Sequence, residues 1–341
     1  MTTAFSSLPI VDLSVLSEAH PSSISLQLLS QRLYDVFATT GFAYLVGTPL
    51  SSTHEDVFGL AKGFFKLDEA QKLRLAKKTF VSQNSNTYRG YFPIQPGHQD
   101  NLKEGFEIGP STSSRDTHTG RHQKFNLTED NVWPPSSAFS ESRQRLENFH
   151  TELQTLSATL LSLLAVALGK PPDHFASYLV DSLSTLRLLH YPPQQSSTGL
   201  CCTPHTDSGL LTLLHQDPTG GLEVQNADGE WIPAPYVPGS LVVNIGDLMA
   251  KVSGGRFVAT MHRVRSSASA GGGSGGGIGR LSVPFFFEPG ENCVVRSVDG
   301  GQSVIYGEYV RKKMGDWVEY QDMPEDTVSY ETATSAVIEA Y

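Results

Sequence analysis

The chain has 341 residues and a net charge of −10, with no run of Lys or Arg. It is long enough to bury a substantial core, and its acidity argues against nucleic acid or an anionic membrane surface as partner. No apolar stretch approaches the ~18 residues needed to span a bilayer; residues 2–8 lack the charged start and apolar run of a signal peptide; and three cysteines, two of them adjacent (Cys201, Cys202), make no disulfide framework. A reducing, cytoplasmic setting and a monomeric chain are the expectations.

In chain order, Leu8–Leu13 reads as a short strand. Leu26, Leu29, Leu33 and Val36-Phe37 recur at helical spacing, predicting a helix that ends before Gly41. Phe42–Val46 is a second strand. Thr53 with Asp56 resembles a capping box, Val57, Leu60 and Phe64 continue a helical stripe, and another short helix starts near Asp68. Tyr88–Gly97 is loop-like, Lys103–Gly109 is extended, and Ser111–Pro135 is a polar surface loop. From Arg143 to Leu168 apolar residues step by three and four until Gly169 and Pro171 end the pattern, giving a scaffold helix.

Strands then dominate. Thr185–Tyr191 alternates so that Arg187, Leu189 and Tyr191 share a face, and Pro192-Pro193 terminates it. Leu210–Leu214, Leu222–Gln225, Glu230–Ile232 and Ser240–Ile245 follow, separated by Gly220-Gly221 and Asp228-Gly229 turns. Asp247 reads as a turn former. Ser266–Gly279 has a flexible-linker composition and reads as an exposed hairpin loop; its glycines do not open a helix after a buried strand, so they are no dinucleotide fingerprint. Cys293–Arg296 is a last strand and Tyr306–Trp317 a helix.

The chemistry concentrates between His205 and Ser282. His205-Thr206-Asp207 and His262 supply two imidazoles and one carboxylate, the donor set of a facial triad that suits non-haem Fe(II) and leaves positions open. His and Asp at i and i+2 share a face on extended backbone. Arg280 and Ser282 repeat that spacing, and a guanidinium fork with a hydroxyl suits a carboxylate. Each piece alone is common by chance; their order and strand context raise the set above that.

The pieces Leu186–Pro193, His205–Leu214, Gly220–Val224, Pro238–Asp247, His262-Arg263-Val264 and Arg280–Phe286, with Leu8–Leu13 and Gly41–Leu45 at the start, resemble the iron(II)/2-oxoglutarate-dependent dioxygenases of the isopenicillin N synthase-like superfamily. Leu186–Tyr191 and Val242–Leu248 look closest to its thymine 7-hydroxylase-like branch. The resemblance implies an α+β, mainly β fold: a double-stranded β-helix (jelly-roll, cupin-like) core flanked by helices. It implies one structural domain laid out as an N-terminal region (1–135), a scaffold helix (136–182), the jelly-roll core (183–290), and a last strand with a C-terminal lid helix (291–341).

It also implies an enzyme that oxidises a C–H bond of a small molecule, coupled to decarboxylation of 2-oxoglutarate to succinate and CO2. Fe(II), 2-oxoglutarate and O2 are the implied cofactors, with ascorbate helpful in vitro. His205, Asp207 and His262 would be the metal ligands, and Arg280, Ser282 and Tyr191 would hold 2-oxoglutarate. Where relatives often carry Asn, this chain has Leu189, so one polar contact is absent. Tyr88, Arg89, Phe106 and Glu107 are candidate substrate contacts, with Arg89 and Glu107 equally readable as a structural ion pair. Arg187 is either a buried partner for an acid or a substrate contact. Phe286, a strand-step beyond the Arg/Ser pair, either stacks a planar substrate or belongs to the core. Tyr309 and Lys313 would lie on the lid. Three rivals stay open: an iron oxidase of the same fold without 2-oxoglutarate (desaturating or cyclising), a zinc hydrolase using the same ligands with Cys202 nearby, and a non-catalytic small-molecule binder.

Overall fold

The computed structural model describes residues 3–95, 101–111, 124–135, 139–193, 199–265, 279–301 and 303–315, with Trp317 and Tyr320. Residues 112–123 of the polar loop and 266–278 of the Gly/Ser-rich segment singled out above lie outside the described residues.

Two sheets face each other. The larger has eight strands: β1 (Ile10–Asp12), β2 (Phe42–Val46), β10 (Leu241–Ile245), β7 (Leu211–Gln216), β12 (Arg280–Phe287), β5 (Thr185–Tyr191), β4 (Glu104–Ile108) and β3 (Gly90–Phe92), in that order across it. The smaller has four: β6 (Leu200–His205), β11 (His262–Arg265), β8 (Leu222–Gln225) and β9 (Trp231–Pro233). Apart from the parallel β1–β2 pair, neighbours run antiparallel. This is the jelly-roll expected. The segment predicted as a loop after Tyr88 holds the edge strand β3, whose Gly90–Phe92 pair with Gly105–Glu107. β13 (Val294–Arg296) is not the last strand: β14 (Ser303–Ile305) pairs with it in a separate ribbon.

Alternation along the central strands builds two cores. Ala43 and Leu45 of β2 point into the large core under the helices, whereas Phe42 and Tyr44 point between the sheets. Leu213 and Leu214 of β7 divide likewise, as do Val243 and Val242 of β10. Both faces of these strands are covered, which is why the sequence shows near-continuous apolar runs there.

The helices cover the outer face of the large sheet. α1 (Ser23–Thr39) stops where Gly41 takes a φ of 71°, its N–H bonding to Val36 O at 3.1 Å; a Cβ there would stand 2.3 Å from Val258 O. α2 (His54–Phe65) starts with both halves of the Thr53/Asp56 capping box, and α3 (Glu69–Leu73) with the equivalent Asp68/Gln71 pair. α4 (Ser140–Ala167) buries Leu146, Phe149, Leu153, Leu156, Leu160 and Leu164 along one stripe and packs on α1 and on β12. α5 (Asp247–Val252) and α6 (Tyr306–Met314) complete the α-helices among the described residues, beside short 3-10 turns at Ser14–Ser17 and Ala176–Leu179. None of these is long and apolar enough to cross a membrane.

Candidate active site

Strand pairing brings the two imidazoles together. His205 ends β6, His262 begins β11, and the two are register partners, with ring centroids 4.2 Å apart. Asp207 lies two residues past the end of β6, where the chain turns towards β7, and its Oδ1 faces both rings, 3.8 Å from His205 Nε2 and 3.6 Å from His262 Nε2. One ligand atom from each residue falls within 4.8 Å of the other two, and this is the sole such group found among the described residues. The turn is held by its neighbour: Asp247 N–H bonds to Asp207 O at 2.7 Å and Leu248 N–H to Gly209 O at 3.1 Å. That approach needs Gly246, where a Cβ would meet Gly209 O at 2.3 Å. Asp247 thus opens α5 and ion-pairs with Lys313 at 2.9 Å, in keeping with a structural acid.

The second atoms of each side chain are also fixed. His205 Nδ1 lies 2.8 Å from Thr203 O, and His262 Nδ1 lies 3.2 Å from Thr260 O. A carbonyl only accepts, so each Nδ1 carries the proton and each Nε2 presents its lone pair. Asp207 Oδ2 accepts from Thr212 Oγ1 at 2.5 Å and from Asn244 Nδ2 at 2.7 Å, leaving Oδ1 for the cluster. Thr212 and Asn244 are themselves register partners on β7 and β10. Burial works against the Asp207 carboxylate, but the His262 and His205 imidazoles and these two hydrogen bonds hold its pKa below the ordinary value. Burial, then the His205 imidazole, pushes His262 down to about 4. His205 goes the other way: burial lowers its pKa, but the Cys202 thiol, Asp207 and Thr203 O outweigh that and raise it to about 9. A metal takes an ionised carboxylate and neutral imidazoles, so it would displace the His205 proton, and two imidazoles with one carboxylate are a donor set that fits a ferrous ion. The Cys202 thiol lies 3.8 Å from His205 Nδ1, on the side of the ring away from the cluster.

The cavity beside this cluster holds about 320 Å³. Its floor is two paired strands read at every second residue: Tyr191, Leu189, Arg187 and Thr185 from β5, and Arg280, Ser282, Pro284 and Phe286 from β12, with Glu288 just past the strand end. Arg280 pairs with Tyr191, Ser282 with Leu189 and Phe286 with Thr185, which settles the register of Arg280 after the Gly/Ser-rich segment. At one end Arg280 is buried, its Nε donating to Gly220 O at 2.8 Å and its guanidinium 4.8 Å from the Tyr191 ring. Its Nη1 is buried with no hydrogen-bond partner, an orphan donor that fits a carboxylate ligand. Burial raises the Tyr191 phenol above its usual pKa, with Arg280 opposing, so it stays a neutral donor. Leu189, Leu214, Leu222 and Val264 wall this end with apolar surface.

At the other end the Arg187 guanidinium lies 5.1 Å from the Phe286 ring and 5.5 Å from Phe92, and ion-pairs with Glu107. Lys77 holds the same carboxylate at 2.5 Å. Tyr88, Glu107 and Phe286 line the cavity. Arg89 and Phe106 do not, and those two expectations are corrected. Arg89 is buried behind the wall, donating to Leu183 O at 2.8 Å and to the Thr185 hydroxyl. Its pairing with Glu107 is replaced by the Lys77 and Arg187 pairs. Phe106 stacks on Phe64 at 4.2 Å in the outer core, because it occupies the opposite phase of β4 from Glu107. Tyr309 and Lys313 also face elsewhere, Tyr309 donating to Ser208 O at 3.3 Å; it is Trp317, past the end of α6, that reaches the cavity.

Sequence reading missed Thr212, Asn244, Glu288, Lys103 and Asn101. The first two carried a signal: Asn244 is the single polar residue of β10 and Thr212 interrupts the leucines that open β7, and a buried polar residue must find a partner.

Residues 182–289 match the model of the 2OG-Fe(II) oxygenase superfamily, and residues 8–136 that of the N-terminal region of the non-haem dioxygenases described from morphine synthesis. A 2-oxoglutarate-dependent dioxygenase of Didymella fabae is 33% identical over 87% of this chain and 90% of its own. A homoarginine-6-hydroxylase of Oryza sativa subsp. japonica is 30% identical, covering 92% and 98%. Among solved structures, the full-length thymine 7-hydroxylase of Neurospora crassa in complex with alpha-KG and 5-formyluracil superposes with a TM-score of 0.75 at 26% identity, covering 93% of this chain and 98% of that one. The chain therefore belongs to the 2-oxoglutarate- and Fe(II)-dependent dioxygenases, with thymine 7-hydroxylase-like proteins among its relatives.

Proposed function

We propose that this chain hydroxylates a C–H bond of a small molecule, with 2-oxoglutarate and O2 converted to succinate and CO2. The reading is carried by one arrangement: a convergent His205/Asp207/His262 donor set and an unpaired, buried Arg280 N–H open into the same cavity. His205, Asp207 and His262 would hold the iron. Arg280, Ser282 and Tyr191 would hold the far carboxylate of 2-oxoglutarate. Bound ferrous iron supplies oxygen activation coupled to loss of CO2 from the 2-oxo acid.

The chain's own residues do the rest. Asn244 and Thr212 keep Asp207 Oδ2 occupied so that Oδ1 stays turned to the metal position. The Arg280 fork neutralises and orients the cosubstrate, and the Tyr191 hydroxyl donates to it without losing its proton. The leucine and valine wall excludes water from that end. Arg187, Phe286 and Tyr88 border the space left for the substrate. His205→Ala or Asp207→Ala should abolish Fe(II)-dependent succinate formation while circular dichroism stays that of the parent. Normal turnover by either variant would refute the ligand assignment. The substrate itself is to be sought by a mass gain of about 16 from an added oxygen atom, with iron, ascorbate and 2-oxoglutarate present.

A further inference from the structure

Glu288 closes the row of cavity-facing residues on β12, at the end away from Arg280. Its backbone is pinned on both sides: its N–H bonds to Ser184 Oγ at 3.1 Å, and its carbonyl accepts from Ser182 Oγ at 2.6 Å and Ser184 Oγ at 3.4 Å. The residue is only 5% exposed. Its carboxyl reaches towards the turn that carries Asp207: a Cβ on Gly209 would stand 3.3 Å from Glu288 Cγ and 3.9 Å from Oε1.

Among the described residues, the Tyr306 hydroxyl is the one side-chain donor set against this carboxyl. The Tyr306 hydroxyl acts on it and favours the ionised form, yet Oε2 and that hydroxyl are both buried without a partner in hydrogen-bonding geometry. Glu107, the neighbouring acid, is balanced by Lys77 and Arg187. Burial pushes the Glu288 carboxyl up to about 7, with Tyr306, Arg89 and Arg187 opposing and Glu107 adding to the rise. A carboxyl has more acceptor capacity than one poorly aligned hydroxyl can use, and buried groups perturbed in this way gather at binding sites.

We infer that Glu288 is a specificity-determining residue: its carboxyl receives an O–H or N–H donor of the substrate, which is therefore a small molecule carrying such a donor beside an apolar flank. Pro284 and Phe286, two steps and one step back along the same face, supply the surface for that flank. This assignment rests on the function proposed above and names the chemistry its substrate must present.

The test is calorimetric, on the full chain loaded anaerobically with Fe(II) and then titrated with 2-oxoglutarate. Failure at that step refutes the proposed function rather than the role of Glu288. The loaded protein is next titrated with matched pairs, each a donor-bearing compound and its methylated counterpart: resorcinol and 1,3-dimethoxybenzene, uracil and 1,3-dimethyluracil, and further pairs of that kind. The parent should prefer donor-bearing members at least tenfold. Glu288→Gln, which keeps an acceptor oxygen but no charge, should retain a weaker preference, and Glu288→Leu should show none. Without any fragment, Glu288→Gln, which can still accept from the Tyr306 hydroxyl, should keep a Tm close to that of the parent. A parent that binds no donor-bearing member or shows no preference, a preference that survives Glu288→Leu, or a clear fall in Tm for Glu288→Gln would overturn the inference.

Discussion

Replacing Asn244 by Leu removes one of the two donors on Asp207 Oδ2, the 2.7 Å bond from Nδ2, while Thr212 still holds the same atom at 2.5 Å. A hydrogen bond to a charged group is worth about 1.5–3 kcal/mol. If that energy serves to aim Oδ1, its loss appears as weaker metal binding, about tenfold to a hundredfold, the usual effect of removing a partner of a metal ligand. The assay is an anaerobic titration with Co(II), whose visible bands report coordination geometry, repeated with Fe(II) by competition. Thr212→Val should weaken binding comparably. Because both donors act on one oxygen, the double variant should depart from the sum of the singles. Affinities within twofold of the parent for both singles would mean that Asp207 needs no such aiming, and the account of this site would fail.

Three further outcomes follow from the geometry. Arg280→Lys should raise KM for 2-oxoglutarate more than tenfold by replacing a planar fork with a point charge, leaving metal affinity unchanged; an unaltered KM would remove Arg280 from the cosubstrate site. Phe106→Ala should cost about 3–5 kcal/mol of stability by opening the stack on Phe64, with little change in substrate KM; the reverse pattern would return Phe106 to the cavity. Glu104 tests pH dependence. Burial raises its pKa, but hydrogen bonds from His190, Lys72 and Tyr91 outweigh that and hold it at about 2, against 4.5 for the free group. A depressed folded-state pKa stabilises above the unfolded value, and that stability drains away as pH falls from about 4.5 to about 2. Glu104→Gln should therefore lower Tm at pH 7, with the gap narrowing as pH falls through that window; a gap independent of pH would contradict the sign.

What the sequence made legible tracks where its patterns are local. The Thr53/Asp56 cap, the stripe of α4 and the bounds of β2 are written within a few residues of one another, and the structure has them as expected. The facing of Arg187, Leu189 and Tyr191 was readable because Pro192-Pro193 fixes the end of β5 and Arg187 breaks the apolar run. β4 gave no such contrast: all five of its residues are buried, so nothing in Glu104–Ile108 says which phase looks into the cavity, and Phe106 was placed on the wrong side. Arg89 misled for a related reason, since a buried guanidinium satisfied by Leu183 O and the Thr185 hydroxyl looks in sequence like a ligand contact. The roles of Thr212 and Asn244 depend on how β7 registers against β10, roughly 30 residues apart in sequence, which no local pattern encodes.

The paired floor of β5 and β12 sets how this protein can change. Along either strand the side chains at Arg280, Ser282 and Tyr191 are separated from those at Phe286, Glu288, Arg187 and Thr185 by whole two-residue steps of about 6.8 Å. Under the proposed assignment, exchanges at the far positions would alter what is admitted while leaving the proposed cosubstrate anchor and metal ligands in place. A single inserted or deleted residue between the two groups would instead turn one of them to the opposite side of the sheet. The scaffold thus tolerates drift in appetite through point replacement, and forbids it through changes of length.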